Sequence, residues 1–119
     1  MRHATVVVLA MLLWLQAGRV PAFNTLFADQ LPIGRMNQED IELLLAAVDD
    51  TLERAADGST REWRNPKTGA GGYLTPRASY RDAGLRCRDL AVENRAGGMH
   101  NRATLSVCKQ PDGSWKVKP

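Results

Sequence analysis

Residues Leu85–Lys109 read LRCRDLAVENRAGGMHNRATLSVCK, two strand-like runs around a Gly97-Gly98 pair. A two-residue hairpin turn needs positive φ, which glycine adopts without steric cost. Such a turn sets Ala96 opposite Met99. Counting outward in that register brings Cys87 opposite Cys108, nine steps away. Nine is odd, so the cysteines fall on a non-hydrogen-bonded pair, where Cα atoms are about 4.5 Å apart. That is within disulfide reach. The register also sorts the side chains. Leu90, Val92, Ala103, Leu105 and Val107 share one face with Arg86 and Arg88, and this is the face a helix should cover. Asp89, Ala91, Glu93, Arg102, Thr104 and Ser106 share the other with the cystine, and Glu93 faces Arg102 as an ion pair.

Working upstream, Asn37–Asp57 has apolar residues at spacings of three and four: Ile41, Leu44, Leu45, Val48, Leu52 and Ala55. This is an amphipathic helix. Asn37 is placed to cap it, with Asp40 near the free N–H groups, and Gly58 is expected to end it as a left-handed residue. The opposite face carries acids where a membrane-surface helix would carry lysine and arginine, so the stripe should lie on a sheet. Thr60–Arg64, Gly72–Ser79 and Ser114–Val117 are further short strands. Asn65–Gly69 and Pro111-Asp112-Gly113 are turns between them, and Pro76 marks an edge or a bulge. Consecutive strands with short loops make an antiparallel meander. The expected fold is α+β: one N-terminal amphipathic helix on a small antiparallel β-meander of four to five strands, with one disulfide, Cys87–Cys108.

The chain opens on Arg2 and His3, then Ala4–Leu15 (ATVVVLAMLLWL), an uncharged run of twelve. This has the form of a signal peptide, residues 1–22, cleaved after Ala17 or Ala22. A bilayer-spanning helix needs about 20 apolar residues, so no transmembrane segment is expected in the mature chain. Residues 23–36 read as a linker or N-terminal arm whose phenylalanines could tuck against the domain, and 37–119 as the domain. About 97 mature residues support one modest core, which profits from a covalent staple. An even cysteine pair is the usage expected of an oxidising compartment.

From Phe23 onward 14 basic residues face 13 acidic ones, but unevenly. Asn37–Asp57 carries −6 and Gly58–Pro119 carries +7. Mutual neutralisation within the fold accounts for this. A basic surface for anionic envelope lipid is the sharper alternative. Because Arg86 and Arg88 lie on one sheet face and Arg102 on the other, only weak, salt-sensitive lipid contact is expected. No nucleic-acid motif is present.

No catalytic, cofactor or metal site is readable. The mature chain offers one histidine, His100 beside the hairpin turn, and two paired cysteines, too few ligands for a metal. There is no nucleophile elbow. Lys67–Gly72 (KTGAGG) only superficially resembles a phosphate loop, because its lysine precedes the glycines and no helix follows. Trp63, Tyr73, Tyr80 and Trp115 read as core or edge-covering residues, with an exposed aromatic groove for sugar or peptide as the alternative use.

Trp63-Arg64-Asn65-Pro66, Gly69, Gly72, Thr75-Pro76, Tyr80, Gly84, Cys87-Arg88, Gly97-Gly98, Cys108 and Pro111-Asp112-Gly113-Ser114-Trp115, in this order, resemble the C-terminal domain of the bacterial seventeen-kilodalton surface antigen family of outer-membrane proteins. Members typically carry a lipoprotein signal and a glycine-rich membrane-associated segment. Here no lipid-acceptor cysteine follows the apolar run, and the short arm stands in place of the glycine-rich segment. The resemblance implies an exported protein of the periplasm, outer membrane or cell surface, and supplies no catalytic residues. The expected function is a non-catalytic envelope domain, not an enzyme, that acts by contact with an envelope protein or component. A small secreted enzyme or enzyme inhibitor is the alternative.

Overall fold

The computed structural model describes residues 32–119. The predicted signal segment 1–22 and the arm up to residue 31 lie outside the described residues. Helix α1 spans Gln38–Arg54 and is followed by five strands: β1 Arg61–Arg64, β2 Gly71–Asp82, β3 Leu85–Ala96, β4 Met99–Lys109 and β5 Trp115–Val117. They form one antiparallel sheet in sequence order, the meander the turn residues imply. The last residues of the arm form a 3₁₀ turn, Pro32–Arg35, packed on β3 and β4, with Pro32 buried.

The β3–β4 hairpin has the expected register throughout, from Ala96 opposite Met99 to Cys87 opposite Cys108. Gly97 and Gly98 have φ of +56° and +78°. The cysteines are disulfide-bonded, with Cα atoms 4.0 Å apart. Strand β2 runs past the predicted end at Ser79 to Asp82 and returns to Leu85 through a second two-residue turn, Ala83-Gly84. Its register shifts between Pro76 and Ala78, so Pro76 does mark a bulge.

Helix α1 begins where the sequence indicates. Asn37 accepts a hydrogen bond from the Asp40 main-chain N–H at 2.8 Å, and the Asp40 carboxylate accepts one from the Asn37 N–H at 3.0 Å. It ends differently. The helix stops at Arg54, with Ala55 in an extended conformation at the cap, and Gly58 lies beyond it, donating its N–H to Pro76. The terminal carbonyls are not closed by a left-handed glycine. The buried Arg88 closes them instead, donating to the carbonyls of Thr51, Leu52 and Ala55.

Leu44, Leu52, Trp63, Ala70, Leu74, Leu90, Ala96 and Val107 form the core, with Met36, Ala47, Val48, Val92 and Trp115 packed around it. Each fully buried leucine contributes about 2 kcal/mol of transfer free energy. Two residues expected under the helix are not there: Leu45 is 60% exposed and Leu105 38% exposed. Ala103 is exposed too. The reason is width. A helix about 10 Å across covers two to three strands spaced about 4.8 Å apart, so a five-stranded sheet outruns it. Here α1 packs chiefly on β1 and β2.

Buried polar residues fix that placement. Asp40 and Thr51, not Leu45, face the sheet. The Asp40 carboxylate accepts from the Thr68 hydroxyl at 2.6 Å and the Asn65 amide at 2.8 Å, tying the helix start to the β1–β2 turn. Trp63 lies across from Gly72, where an added Cβ would sit 1.8 Å from the Glu93 carbonyl oxygen. No side chain fits there, and β2 and β3 approach closely as a result.

Candidate functional site

The sheet has one covered face and one open face. Strand alternation sends Gly72, Leu74 and Pro76 of β2 toward the helix, and Tyr73 and Thr75 away from it. Pairing then assembles the open face: Glu62 from β1, Tyr73, Thr75 and Tyr80 from β2, Asp89, Ala91, Glu93 and Arg95 from β3, and His100, Arg102, Thr104 and Ser106 from β4.

Most of its charges are paired in place. Glu93 accepts from the Arg102 guanidinium at Nε, 2.8 Å away, and from Arg102 Nη2. Glu62 lies 3.9 Å from Arg95, and His100 3.9 Å from Glu93. Asp89 accepts from the hydroxyls of Tyr80 and Ser106. The Lys118 ammonium sits over the Tyr80 ring, 5.3 Å from its centre, and 2.7 Å from Asp82. That hydrogen bond holds the Asp82 carboxyl below the usual carboxylate range and raises Lys118. The disulfide lies at one end of this face, buried beneath its neighbours.

Two concavities remain. One, of about 240 Å³, is lined by Thr60, Tyr73, Thr75, Arg77, Ala91, Glu93 and Arg102. The second, also about 240 Å³, is lined by Tyr73, Glu93, Asn94, Arg95 and His100 with Gly72. Tyr73, 41% exposed, stands between them. Of the four aromatics singled out in the sequence, Trp63 is core, Trp115 bonds Glu53 on the helix side, and Tyr80 is covered by Lys118. Of these four, Tyr73 alone presents an uncovered ring on the open face. The alternation of Tyr73, Thr75 and Arg77 with the inward Leu74 and Pro76 carried this signal, masked by the bulge at Arg77.

The phosphate-loop-like run serves the fold. Thr68 donates to Asp40, Lys67 lies 3.3 Å from Glu39, and the Gly69 N–H donates to the Asn65 carbonyl. Among the described residues no three His, Cys, Asp or Glu side chains cluster to hold a metal ion, and no helix is long and apolar enough to cross a membrane. His100 neighbours Glu93, not a serine or threonine hydroxyl. The arrangement can hold a ligand by stacking, hydrogen bonds and charge.

Comparison with known proteins finds relatives in one family. The model of a family described as 17 kDa outer membrane surface antigen matches residues 50–116. The 17 kDa surface antigen of Rickettsia conorii is 40% identical over 83 residues, 69% of this chain and 52% of the antigen. That of Rickettsia prowazekii is 41% identical over 82 residues, 68% of this chain and 52% of the antigen. That of Rickettsia bellii is 36% identical over 83 residues, with the same 69% and 52% shares. The chain thus spans about half the length of the curated relatives it matches. No solved structure matches it.

Proposed function

The chain belongs to the 17 kDa outer membrane surface antigen family, and from that premise we propose that it is a non-catalytic envelope domain acting by contact, through the open face of its sheet. The carrying observation is how the polar groups are used. Among the described residues every buried side-chain nitrogen and oxygen has a hydrogen-bond partner. Asp40, Asn65 and Arg88 are consumed in holding helix to sheet, and the Thr51 hydroxyl donates to the Ala47 carbonyl of its own helix. Catalytic sites keep titratable groups poised in a cleft, and this supports a binding reading. The partner is an envelope protein or component, in the periplasm or at the outer surface.

Anionic lipid is at most a weak partner. Arg88 is buried under the helix, Arg86 lies over Trp115 on the same side, and Arg102 is on the open face, so these three cations share no single patch. Scattered exposed charges bind weakly and lose that binding as salt rises.

Cell fractionation with protease treatment of intact cells, followed by pull-down from envelope extracts, tests the proposal. Recovery in the envelope fraction with a specific envelope partner supports it. A freely released protein that performs or inhibits hydrolysis overturns it.

A further inference from the structure

Resting on that contact reading, we propose that the groove between Tyr73 and Arg77 is a binding site for a saccharide bearing a carboxylate. Four features of the groove converge on this ligand class.

First, Tyr73 offers an exposed ring on a rigid support. It lies inside β2, paired with Glu62 on one side and Glu93 on the other. An exposed aromatic face takes the C–H side of a sugar ring, and its hydroxyl supplies a hydrogen bond at the rim. Second, the floor and wall supply hydroxyls. The Thr60 and Thr75 Oγ1 atoms are 2.8 Å apart, and each keeps hydrogen-bonding capacity toward the groove. Ala91 leaves the floor flat. Third, the charge fits a monoanion. Arg102 is held by Glu93, whereas exposed Arg77 forms no ion pair among the described residues. Arg77, Arg102 and Glu93 together leave the groove one net positive charge. A guanidinium takes a carboxylate by two parallel hydrogen bonds. Glu93 on the same wall disfavours a phosphate dianion. Fourth, the size suits one ring of a chain. At about 240 Å³ the groove is smaller than the roughly 300–1,000 Å³ of sites that engulf a whole small molecule. It is open to solvent, so a longer chain can leave on either side of Tyr73 toward the second concavity.

The test is NMR titration of the disulfide-bonded mature protein with trigalacturonate, with cellotriose as the neutral counterpart and glucose 1-phosphate as the phosphate-bearing one. Trigalacturonate should shift the Tyr73, Thr75 and Ala91 signals and bind at least ~10-fold more tightly than either comparison sugar. Tyr73→Ala and Arg77→Gln should each weaken it about 10-fold or more, Tyr73→Phe much less, and Arg64→Gln, a basic residue outside the groove, not at all. The assignment is overturned if the folded protein binds none of the sugars, if Arg64→Gln weakens binding as much as Arg77→Gln, or if the phosphate sugar binds more tightly. Cell fractionation separates this from the broader reading. An envelope-resident protein that ignores uronates loses this ligand alone, whereas a uronate-binding protein outside the envelope keeps the groove and loses the location.

Discussion

The Arg88 guanidinium donates to the main-chain carbonyl of Ala55 at 2.7 Å, joining the middle of the sheet to the end of the helix. The same group reaches the carbonyls of Leu52 at 2.8 Å and Thr51 at 3.2 Å, the Asp57 carboxylate at 2.8 Å and the Ser79 hydroxyl at 3.0 Å. A helix end leaves its last carbonyls unpaired, and a cation there also meets the negative end of the helix dipole. Arg88 answers both needs from a position that is 3% exposed.

Replacing Arg88 by Met keeps the bulk and removes every donor. The carbonyls of Leu52 and Ala55 then lose their partner, while that of Thr51 keeps the Ala55 N–H, and the stability loss should be about 3 kcal/mol by urea denaturation. Arg88→Lys should recover little of it. One ammonium cannot span the positions that the planar fork reaches together. If Arg88→Met is as stable as the parent, the guanidinium is not the cap of this helix.

The helix start carries a pH dependence. The Thr68 hydroxyl, foremost, and the Asn37 N–H and Asn65 amide hold the Asp40 carboxyl below its ordinary 3.8, against the opposing effect of burial. In the unfolded chain that carboxyl returns to its ordinary value. The folded state therefore takes up the proton only at lower pH. The stabilisation is complete above the unfolded value and is lost as pH falls through it toward the folded one. Asp57, held down first by Arg88 and then Ser79, acts in the same direction. The urea midpoint should fall between pH 6 and pH 3, and Asp40→Asn should show a smaller fall. An equal fall in both proteins would remove Asp40 from the acid response.

The hairpin was legible because turn chemistry, strand alternation and cysteine spacing each specify the same register, and all act within 25 residues. The helix start was legible for a similar local reason, since Asn37 and Asp40 form a closed pair three residues apart. What failed was long-range. Arg88 reads as one arginine in a basic run, and nothing near it says that it lies beneath a helix end 33 or more residues upstream. Leu45 fits the apolar period, yet buried positions go to Asp40, whose partners the β1–β2 turn supplies, and to Thr51, whose hydroxyl is satisfied by the Ala47 carbonyl within the helix. Tyr73 stood among four aromatics, and only the pairing of β2 on both sides, with Lys118 covering Tyr80, marks it as the uncovered ring of the open face.

Ala83 has φ of +49°, where the equivalent residue of the other two-residue turn, Gly97, has +56°. An L-residue with a Cβ is disfavoured there, and Ala lacks the side-chain oxygen that lets Asn tolerate it. Ala83→Asn or Ala83→Gly should therefore raise stability by about 0.5–1 kcal/mol, read as a higher melting temperature with the fold unchanged. A loss of stability in both would show that the β2–β3 turn does not take this conformation.

The last prediction concerns the cystine. Non-reducing peptide mapping of the protein isolated from its native cells should recover Cys87 and Cys108 in one linked peptide, since their Cα atoms face each other 4.0 Å apart across β3 and β4. The bond closes a loop of 21 residues in sequence separation, for which chain entropy gives about 3 kcal/mol. Both sulfurs are buried at the open-face end of the sheet, where β5 is only three residues long and pairs with β4 beside Cys108. Losing the link should therefore loosen β5 before it disturbs the Gly97-Gly98 end of the hairpin. Replacing both cysteines by serine should cost about 2–5 kcal/mol, a large fraction of the 5–15 kcal/mol that holds a typical domain. Hydrogen exchange should show its largest increase at Lys109 and Trp115–Val117. Uniform acceleration across β1–β4 would show that the bond stabilises the whole sheet rather than its β5 end, and free thiols in the natively produced protein would show that the bond does not form.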